Sequence, residues 1–174
     1  MKNLDPFTET YGFCFYLQYL INHPEYFQVC EHPSGEIMGY VMGKAEGEGE
    51  NWHGHVTAVT VAPSYRRLHI AARLMQSLED ISTMKKCYFV DLFVRVSNAV
   101  AIKMYGTLGY VVYRRIIDYY SGEKEEDAFA ATVHYYIFND KYLDMRKALP
   151  RDVEKKSIIP IKQPVTCDEI NLRD

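Results

Sequence analysis

The stretch VTAVTVAPSYRRLHIAA, residues 56–72, decides the fold of this chain. Its β-branched first half predicts a strand that ends at a Pro63-Ser64 turn, and after two arginines a helix begins with small residues in its first turn. A helix N-terminus presents unpaired backbone N–H groups and a partial positive charge, and both attract anions. This strand, basic loop and helix therefore predict a site for a phosphate or a diphosphate.

The segments that follow this loop predict a parallel crossover. Residues 70–84 carry apolar side chains at helical spacing, and residues 88–96 form an almost continuously apolar run that Asp91 interrupts. Two strands joined by a helix in this way lie parallel in one sheet. The fold class is therefore α/β (α+β), with a mixed twisted sheet flanked by helices.

The other predicted elements come from apolar runs and the turn residues between them. They are a short buried helix over 13–21, strands over 26–30 and 37–45 joined by a His32-Pro33-Ser34-Gly35 hairpin turn, a strand over 52–62, a helix over 100–108 with Ser97-Asn98 as N-cap and Gly109 as its stop, and a strand over 110–120.

Composition excludes several classes of protein. The chain has 174 residues, 48% of them apolar and 25% charged, with a net charge of −3, which fits one globular domain and gives no basis for direct nucleic-acid binding. No apolar run approaches the roughly 20 residues of a membrane-spanning helix, and MKNLDPFTET lacks the core of a secretory signal. The scattered Cys14, Cys30, Cys87 and Cys167 predict reduced thiols in a cytoplasmic protein and no metal site.

Residues 66–71, Arg-Arg-Leu-His-Ile-Ala, resemble the acetyl-CoA loop of the GNAT N-acetyltransferases, whose pattern is Arg/Gln-x-x-Gly-x-Gly/Ala. Further segments are similar to the catalytic subunits of NatB within that superfamily, from Asn3 to about residue 160: NLDPFTETYG, FYLQYL, MGYVMGKAEG, WHGHVTAV, VDLFVRVSN, LGYVVYR and DMRKALPRDVEKKSIIP. The resemblance implies a GNAT fold and acetyl transfer from acetyl-CoA to the α-amino group of proteins beginning Met-Asp, Met-Glu, Met-Asn or Met-Gln.

The chain departs from the family pattern at three places. We expect the first strand of the family fold to be absent, since the sequence opens at the NLDP segment. Residues 129–143 interrupt a short link, as a retained intron, a wrong gene model or a lineage-specific loop would do. His69 replaces the first glycine of the loop, which costs ~1 kcal/mol or more if its φ is positive, although an imidazole there can also donate to a phosphate oxygen. We expect acetyl-CoA binding to be weakened about tenfold. The predicted domains are 1–149 with this insertion, and a tail over 150–174.

The resemblance also implies the site residues and a direct transfer in a ternary complex. Four of these residues also have a purely structural interpretation. Asn98 can be a plain helix cap, Tyr105 a core aromatic, His55 a packing residue and Glu9 a solvated carboxylate. His53 is interpreted as structural. The predicted acetyl-CoA site consists of Val59, Val61, Arg66, Arg67, His69, Ala71, Ala72 and Asn98; the catalytic residues of Tyr105, which protonates the departing thiolate, His55 and Glu9; and the peptide site of Phe7, Glu9, Tyr11, His55, Tyr119 and Tyr120.

The partners follow from the same resemblance. It implies a large helical auxiliary subunit and, through that subunit, the ribosome and nascent chains. Two other functions stay open at this point: a catalytically impaired isoform that only binds the auxiliary subunit, and a GNAT enzyme that acts on small amines. Acetyl-CoA binding distinguishes an impaired isoform from an active enzyme. The choice of acceptor distinguishes a small-amine enzyme from one that acts on protein N-termini.

Overall fold

The computed structural model describes residues 3–4, 8, 10–117 and 142–166 of the chain. The chain forms two compact units, residues 1–92 with 148–157 and residues 93–147 with 158–174. None of the helices in the described part has the length and apolar character that a bilayer crossing needs.

The first unit is a mixed sheet with two helices. Its elements are α1 (Phe13–Asn22), β1 (Gln28–Glu31), β2 (Ile37–Glu46), β3 (His53–Val61), α2 (Ile70–Met84) and the first part of β4 (Phe89–Arg95), with 3-10 turns at Pro24–Tyr26, Gly49–Asn51 and Pro63–Tyr65. β1 pairs with β2 and β2 with β3 in antiparallel register, whereas β3 and β4 are parallel. The predicted mixed sheet, hairpin and parallel crossover are therefore confirmed.

Helix α2 packs closely on one face of this sheet. Its apolar side chains Leu74, Met75 and Leu78 are buried, as the helical spacing predicts. A Cβ added to Gly43 would lie 2.9 Å from Leu78 Cδ1, and one added to Gly54 would collide with Ser82 Oγ. Because side chains alternate along a strand, Gly54 towards α2 places its neighbours on β3 on the opposite face. His53 and His55, described below, therefore lie on that opposite face.

The second unit contains the rest of β4, α3 (Ala99–Thr107), β5 (Val111–Ile117), β6 (Tyr142–Ala148) and β7 (Val165–Thr166). β5 pairs antiparallel with β6 and parallel with β7. Ile116, Tyr142 and Val165 form a buried apolar cluster in this unit, and the half-buried Phe93 packs against it. Strand β6 takes up the last two residues of the predicted insertion at 129–143, and the rest of that segment lies outside the described residues.

The prediction that residues 13–21 form a buried helix is wrong about burial. The helix is present as α1, but none of its residues is buried, and Phe13 is 61% and Ile21 75% exposed. Leu17 and Leu20 are also exposed. The apolar run and its terminators Asn22 and Pro24 predicted the helix, whereas burial depends on what packs against the helix.

The segment predicted as a tail makes ordered contacts in both units. In the first unit Arg151 donates to the Lys86 carbonyl. In the second unit the Ile161 N–H donates to the Tyr113 carbonyl at 2.7 Å. The domain boundaries at 149 and 150 remain a prediction.

Candidate active site

The loop between β3 and α2 has the form of an anion site. After the 3-10 turn, residues 66–69 are exposed, and α2 begins at Ile70. The N-cap residue His69 makes no side-chain capping bond, and the first helical bond runs from the Arg73 N–H to the His69 carbonyl at 3.0 Å. The N–H groups of the first turn, where the half-buried Ala71 and Ala72 lie, therefore have no partner within the helix. Two exposed arginines, Arg66 and Arg67, precede them.

Two residues of this loop are left-handed. Arg67 has φ 61° and His69 has φ 58°, ψ 17°. A residue with a Cβ pays roughly 1 kcal/mol or more in this region, which glycine does not. The energetic cost expected for a side chain at position 69 therefore applies, because the φ of His69 is positive.

The loop is held against the β1–β2 hairpin. Tyr65 Oη donates to Glu36 Oε2 at 2.7 Å, and the Ala62 N–H donates to the Met38 carbonyl at 2.9 Å. These contacts fix both the start of the loop and its 3-10 turn. Sequence reasoning missed this pair, since residues 29 apart in sequence give no local signal.

Strand β3 carries a bulge next to its predicted functional residues. Met42 pairs with Ala58 and Gly43 pairs with Val56, so Thr57 is the extra residue on β3. Thr57 Oγ1 donates to Tyr19 Oη at 2.8 Å, which connects β3 to α1.

Beyond the bulge, β3 leaves its parallel partner. The register of β3 with β4 in the described residues ends at the Val56–Leu92 pair. The half-buried Val59 and Val61 lie past that point and pair with β2 on their other side. Their predicted role, backbone pairing with the pantetheine arm, needs an extended edge of this kind and stays a prediction.

His55 forms a buried pair with Asp91. His55 Nδ1 lies 2.8 Å from Asp91 Oδ1, and the two residues are direct partners across β3 and β4. The His55 side chain is 13% exposed and the Asp91 side chain 2%. A carboxylate beside Nδ1 requires a proton on that nitrogen, so Asp91 fixes both the tautomer and the ring plane of His55.

The pKa of His55 reflects two opposing effects. Burial disfavours the imidazolium and would lower the pKa, but the charge and hydrogen bond of Asp91 act against it, and Glu46 adds to them. Lys44 opposes the increase. The net pKa of His55 lies above its usual value of 6.5.

A second histidine adjoins this pair. His53 Nδ1 donates to the Asn51 carbonyl, its ring stacks on Phe89 with centroids 4.7 Å apart, and its Nε2 lies 3.6 Å from Asp91 Oδ1. Side-chain nitrogen and oxygen atoms of Glu46, His53 and His55 lie within 4.8 Å of one another. Lys44 already pairs with Glu46, so a protein cation serves the one carboxylate of this group. The predicted absence of a metal stays a prediction.

The comparisons with known proteins agree on one family. The Acetyltransferase (GNAT) family model matches residues 2–110. The N-terminal acetyltransferase B complex catalytic subunit NAA20 of Arabidopsis thaliana is 57% identical over 97% of this chain and 88% of its own. The crystal structure of Chaetomium thermophilum Naa20 with a bisubstrate analogue is 40% identical, with a TM-score of 0.83, over 97% of this chain and 90% of that one. The structure of the NatB acetyltransferase complex bound to a bisubstrate inhibitor is 39% identical, with a TM-score of 0.78, over 97% of this chain and 89% of that one.

The chain belongs to the NatB catalytic subunits of the GNAT acetyltransferase family. It is an N-terminal acetyltransferase with the GNAT fold, and acetyl-CoA is its co-substrate. The role of residues 66–71 as the acetyl-CoA loop stays a prediction, with a left-handed histidine where the pattern has its first glycine.

Two predicted GNAT residues lie in the second unit. Asn98 is the N-cap of α3, and its Oδ1 accepts from the Ala101 N–H at 3.1 Å. A cap uses only the amide oxygen, so capping and a donor role of Nδ2 towards a cofactor are compatible. Tyr105 is buried and contacts Tyr110 edge to face at 5.9 Å. Burial raises the pKa of Tyr105, which keeps its hydroxyl protonated as a donor.

The predicted peptide site is described only in part. Tyr11 is half-buried and stacks on Phe15 at 4.2 Å, and its N–H donates to Tyr16 Oη at 3.3 Å. Four predicted residues lie outside the described part of the chain: Phe7, Glu9, Tyr119 and Tyr120. Sequence reasoning singled out no role for Asp91, although a carboxylate inside an apolar strand was the signal that could have found it.

Proposed function

We propose that this enzyme acetylates the α-amino group of proteins beginning Met-Asp, Met-Glu, Met-Asn or Met-Gln. The observation that carries the proposal is the placement of two groups along β3. The His55–Asp91 pair lies near its start, and the anion loop follows its end. At about 3.3 Å per residue, the five steps from Val56 to Val61 span about 16 Å of extended edge. That edge suits a cofactor whose phosphates bind the loop and whose acyl end lies near His55.

The chemistry requires little beyond positioning. An α-amino group has a pKa near 8, so part of it is neutral at pH 7 and can attack the thioester carbonyl directly. A C–N bond forms and the C–S bond breaks, the amine loses a proton to solvent or to a base, and the coenzyme A thiolate gains one. In this proposal Tyr105 supplies the proton to the thiolate, and Glu9 assists the amine.

Recognition of the second residue of the substrate is assigned to His55. A ring held by Asp91 can donate a hydrogen bond or carry a positive charge, and both suit an acidic or amide side chain. The His55 side chain is 13% exposed and can be reached from the surface, whereas its partner Asp91 is buried. The roles of Tyr11, Tyr119 and Tyr120 as neighbours of the peptide backbone are proposed on the resemblance alone.

The binding partner of the chain is the auxiliary subunit that NatB complexes contain. We propose that this subunit is large and helical and that it covers α1. Phe13, Leu17 and Leu20 are spaced four and three residues apart, so they form one exposed apolar stripe of the kind that packs against another helix. Through that subunit the enzyme would meet nascent chains at cytoplasmic ribosomes.

The test is acetyl transfer by this chain co-expressed with its auxiliary subunit. Peptides beginning Met-Asp, Met-Glu, Met-Asn and Met-Gln are compared with one beginning Ser-Ala and with a small polyamine. We expect turnover on the first four alone. Turnover on the polyamine would favour the small-amine enzyme. Assembly without any turnover would favour the impaired isoform, for which the strained His69 is the structural argument.

A further inference from the structure

In the sheet of the first unit, the face opposite α2 carries two cross-strand rows of side chains that include charged and titratable groups. One row is Glu46 on β2, His53 on β3 and Phe89 on β4; the next row is Lys44, His55 and Asp91 on the same three strands. Asp91 Oδ1 faces both rings, at 2.8 Å from His55 Nδ1 and 3.6 Å from His53 Nε2. His55 therefore lies between a buried carboxylate and an ammonium group.

The charges in these rows leave room for one more cation. Glu46 pairs with the Lys44 ammonium, and the Asp91 carboxylate contacts His55. A proton on His55 brings the sum of the four groups to zero. From α1 the Tyr19 hydroxyl accepts a hydrogen bond from Thr57 Oγ1. The position favours an imidazolium at His55 over a neutral ring.

We propose that Asp91 is a positioning residue that holds His55 as an oriented cation, so that the preference for an acidic over an amide second residue depends on pH. This inference rests on the proposed function, in which His55 meets the second residue of the substrate. Ionised aspartate or glutamate gains from a positive charge, whereas asparagine or glutamine gains only a hydrogen bond. The ratio of the two specificities therefore reports the charge state of His55.

The direction of the pH dependence follows from the raised pKa of His55. The imidazolium is present below that pKa and is lost as pH rises through it. A substrate aspartate, with a pKa near 4, is ionised throughout the neutral range, and asparagine does not titrate. The kcat/KM ratio of a Met-Asp to a Met-Asn peptide should therefore fall with increasing pH. Titration of the α-amino group and of the catalytic groups common to both peptides cancels in the ratio.

The experiment measures kcat and KM for both peptides between about pH 6 and about pH 9 with the assembled complex, in buffer with and without EDTA. In the wild type we expect a ratio that falls about tenfold across this range, mainly through KM for Met-Asp. In Asp91→Asn, an isosteric change that removes the charge, we expect a low and pH-independent ratio. Asp80→Asn, an exposed carboxylate on α2, is the matched control and should behave as wild type.

The outcomes separate the inference from the proposed function. Turnover on both peptides with a ratio that ignores pH in the wild type would overturn the inference and leave the function intact. The same holds if Asp91→Asn folds and keeps the wild-type pH profile, or if EDTA abolishes the profile. No turnover on either peptide would overturn the proposed function itself. If Asp91→Asn does not fold, the wild-type profile still decides, and His55→Gln, which donates without charge, should flatten it.

Discussion

At the scale of single residues, His69 is the feature that most alters the cofactor loop. Its backbone is left-handed, with φ 58°, immediately before the first N–H groups of α2. A side chain there costs roughly 1 kcal/mol or more and adds bulk where a diphosphate would approach. The backbone at His69 is left-handed, a conformation that glycine adopts without cost, so we expect the substitution to weaken the site rather than abolish it.

Replacing His69 by glycine should improve both stability and cofactor binding. We expect His69→Gly to gain up to about 1 kcal/mol in free energy of unfolding, because the strain is relieved. The KM for acetyl-CoA should fall about tenfold at most. Denaturant unfolding and steady-state kinetics measure the two quantities.

Lys86→Gly is the matched control for this change. Lys86 has the same φ, 58°, but follows the far end of α2. It should gain similar stability and leave the KM for acetyl-CoA unchanged. If His69→Gly raised that KM instead, the imidazole would be a ligand of the phosphate, and the account of His69 as a strained substitute would fail.

The sequence predicted some site residues and could not predict others, for a physical reason. Arg66, Arg67 and His69 follow one another, so their spacing along the chain already defines the loop. The partner of His55 is Asp91, 36 residues away, and only the register of β3 with β4 brings them to 2.8 Å. A contact between strands depends on register, and one residue of slip would turn the side chain to the other face.

At the scale of elements, α1 has an exposed apolar stripe on one side and aromatic residues on the other. Phe15 and Tyr19 lie 5.0 Å apart by ring centroid, and Tyr19 accepts from Thr57 on β3. Leu17 and Leu20 are exposed on the other side. The helix is therefore attached to β3 on one side and exposes its apolar stripe on the other.

A charge placed in this stripe should separate assembly from folding. We expect Leu17→Asp to reduce auxiliary-subunit binding at least tenfold, because it would bury an unpaired carboxylate in the interface. The melting temperature of the isolated chain should change little, since Leu17 is already exposed. Affinity pull-down with titration, alongside thermal unfolding, measures both.

Gln18→Asp is the control for that substitution. Gln18 is exposed and adjacent in sequence, but it lies off the stripe. It should bind the auxiliary subunit as the wild type does. Equal loss of binding in both variants would mean that charge near α1, rather than the apolar stripe, governs assembly.

The accuracy of the predicted elements followed from how local their signals are. Helix α2 and strand β4 were predicted almost to the residue, because a helical period and a continuous apolar run are visible in sequence. Strand β6 was not, since it buries Asp144 between Arg114 and Arg146, and such a charged run looks solvated until its partners are known. Strand β7 has two residues and gives no periodicity.

At the scale of the whole molecule, a late segment of the chain completes the first unit. Residues 148–157 belong with residues 1–92, and Asp152 closes the turn there. Its carboxylate accepts from the Lys156 N–H at 3.0 Å and the Ser157 N–H at 2.9 Å, and from Ser157 Oγ. Burial alone would raise the pKa of Asp152, but these bonds from Ser157, Lys156 and Lys155 hold it below its usual 3.8.

Asp152→Asn should destabilise the protein in a pH-dependent way. The amide cannot accept all of these bonds, so we expect a loss of about 1 kcal/mol near pH 7. A lowered pKa gives stability that is complete above the unfolded value and is lost as pH falls through the folded one, so the difference should shrink below about pH 4. Urea unfolding of the wild type and the variant, near pH 7 and below about pH 4, measures the difference in free energy of unfolding. A deficit independent of pH would contradict this, and Asp80→Asn should show almost none.

The central claim is tested most directly by locating the transferred acetyl group. A peptide that begins Met-Asp and carries an internal lysine is incubated with acetyl-CoA and the chain assembled with its auxiliary subunit, and the product is sequenced by tandem mass spectrometry. The account predicts a single acetyl group on the α-nitrogen of the methionine. Acetyl on the lysine side chain, or none while the complex remains intact, would contradict it.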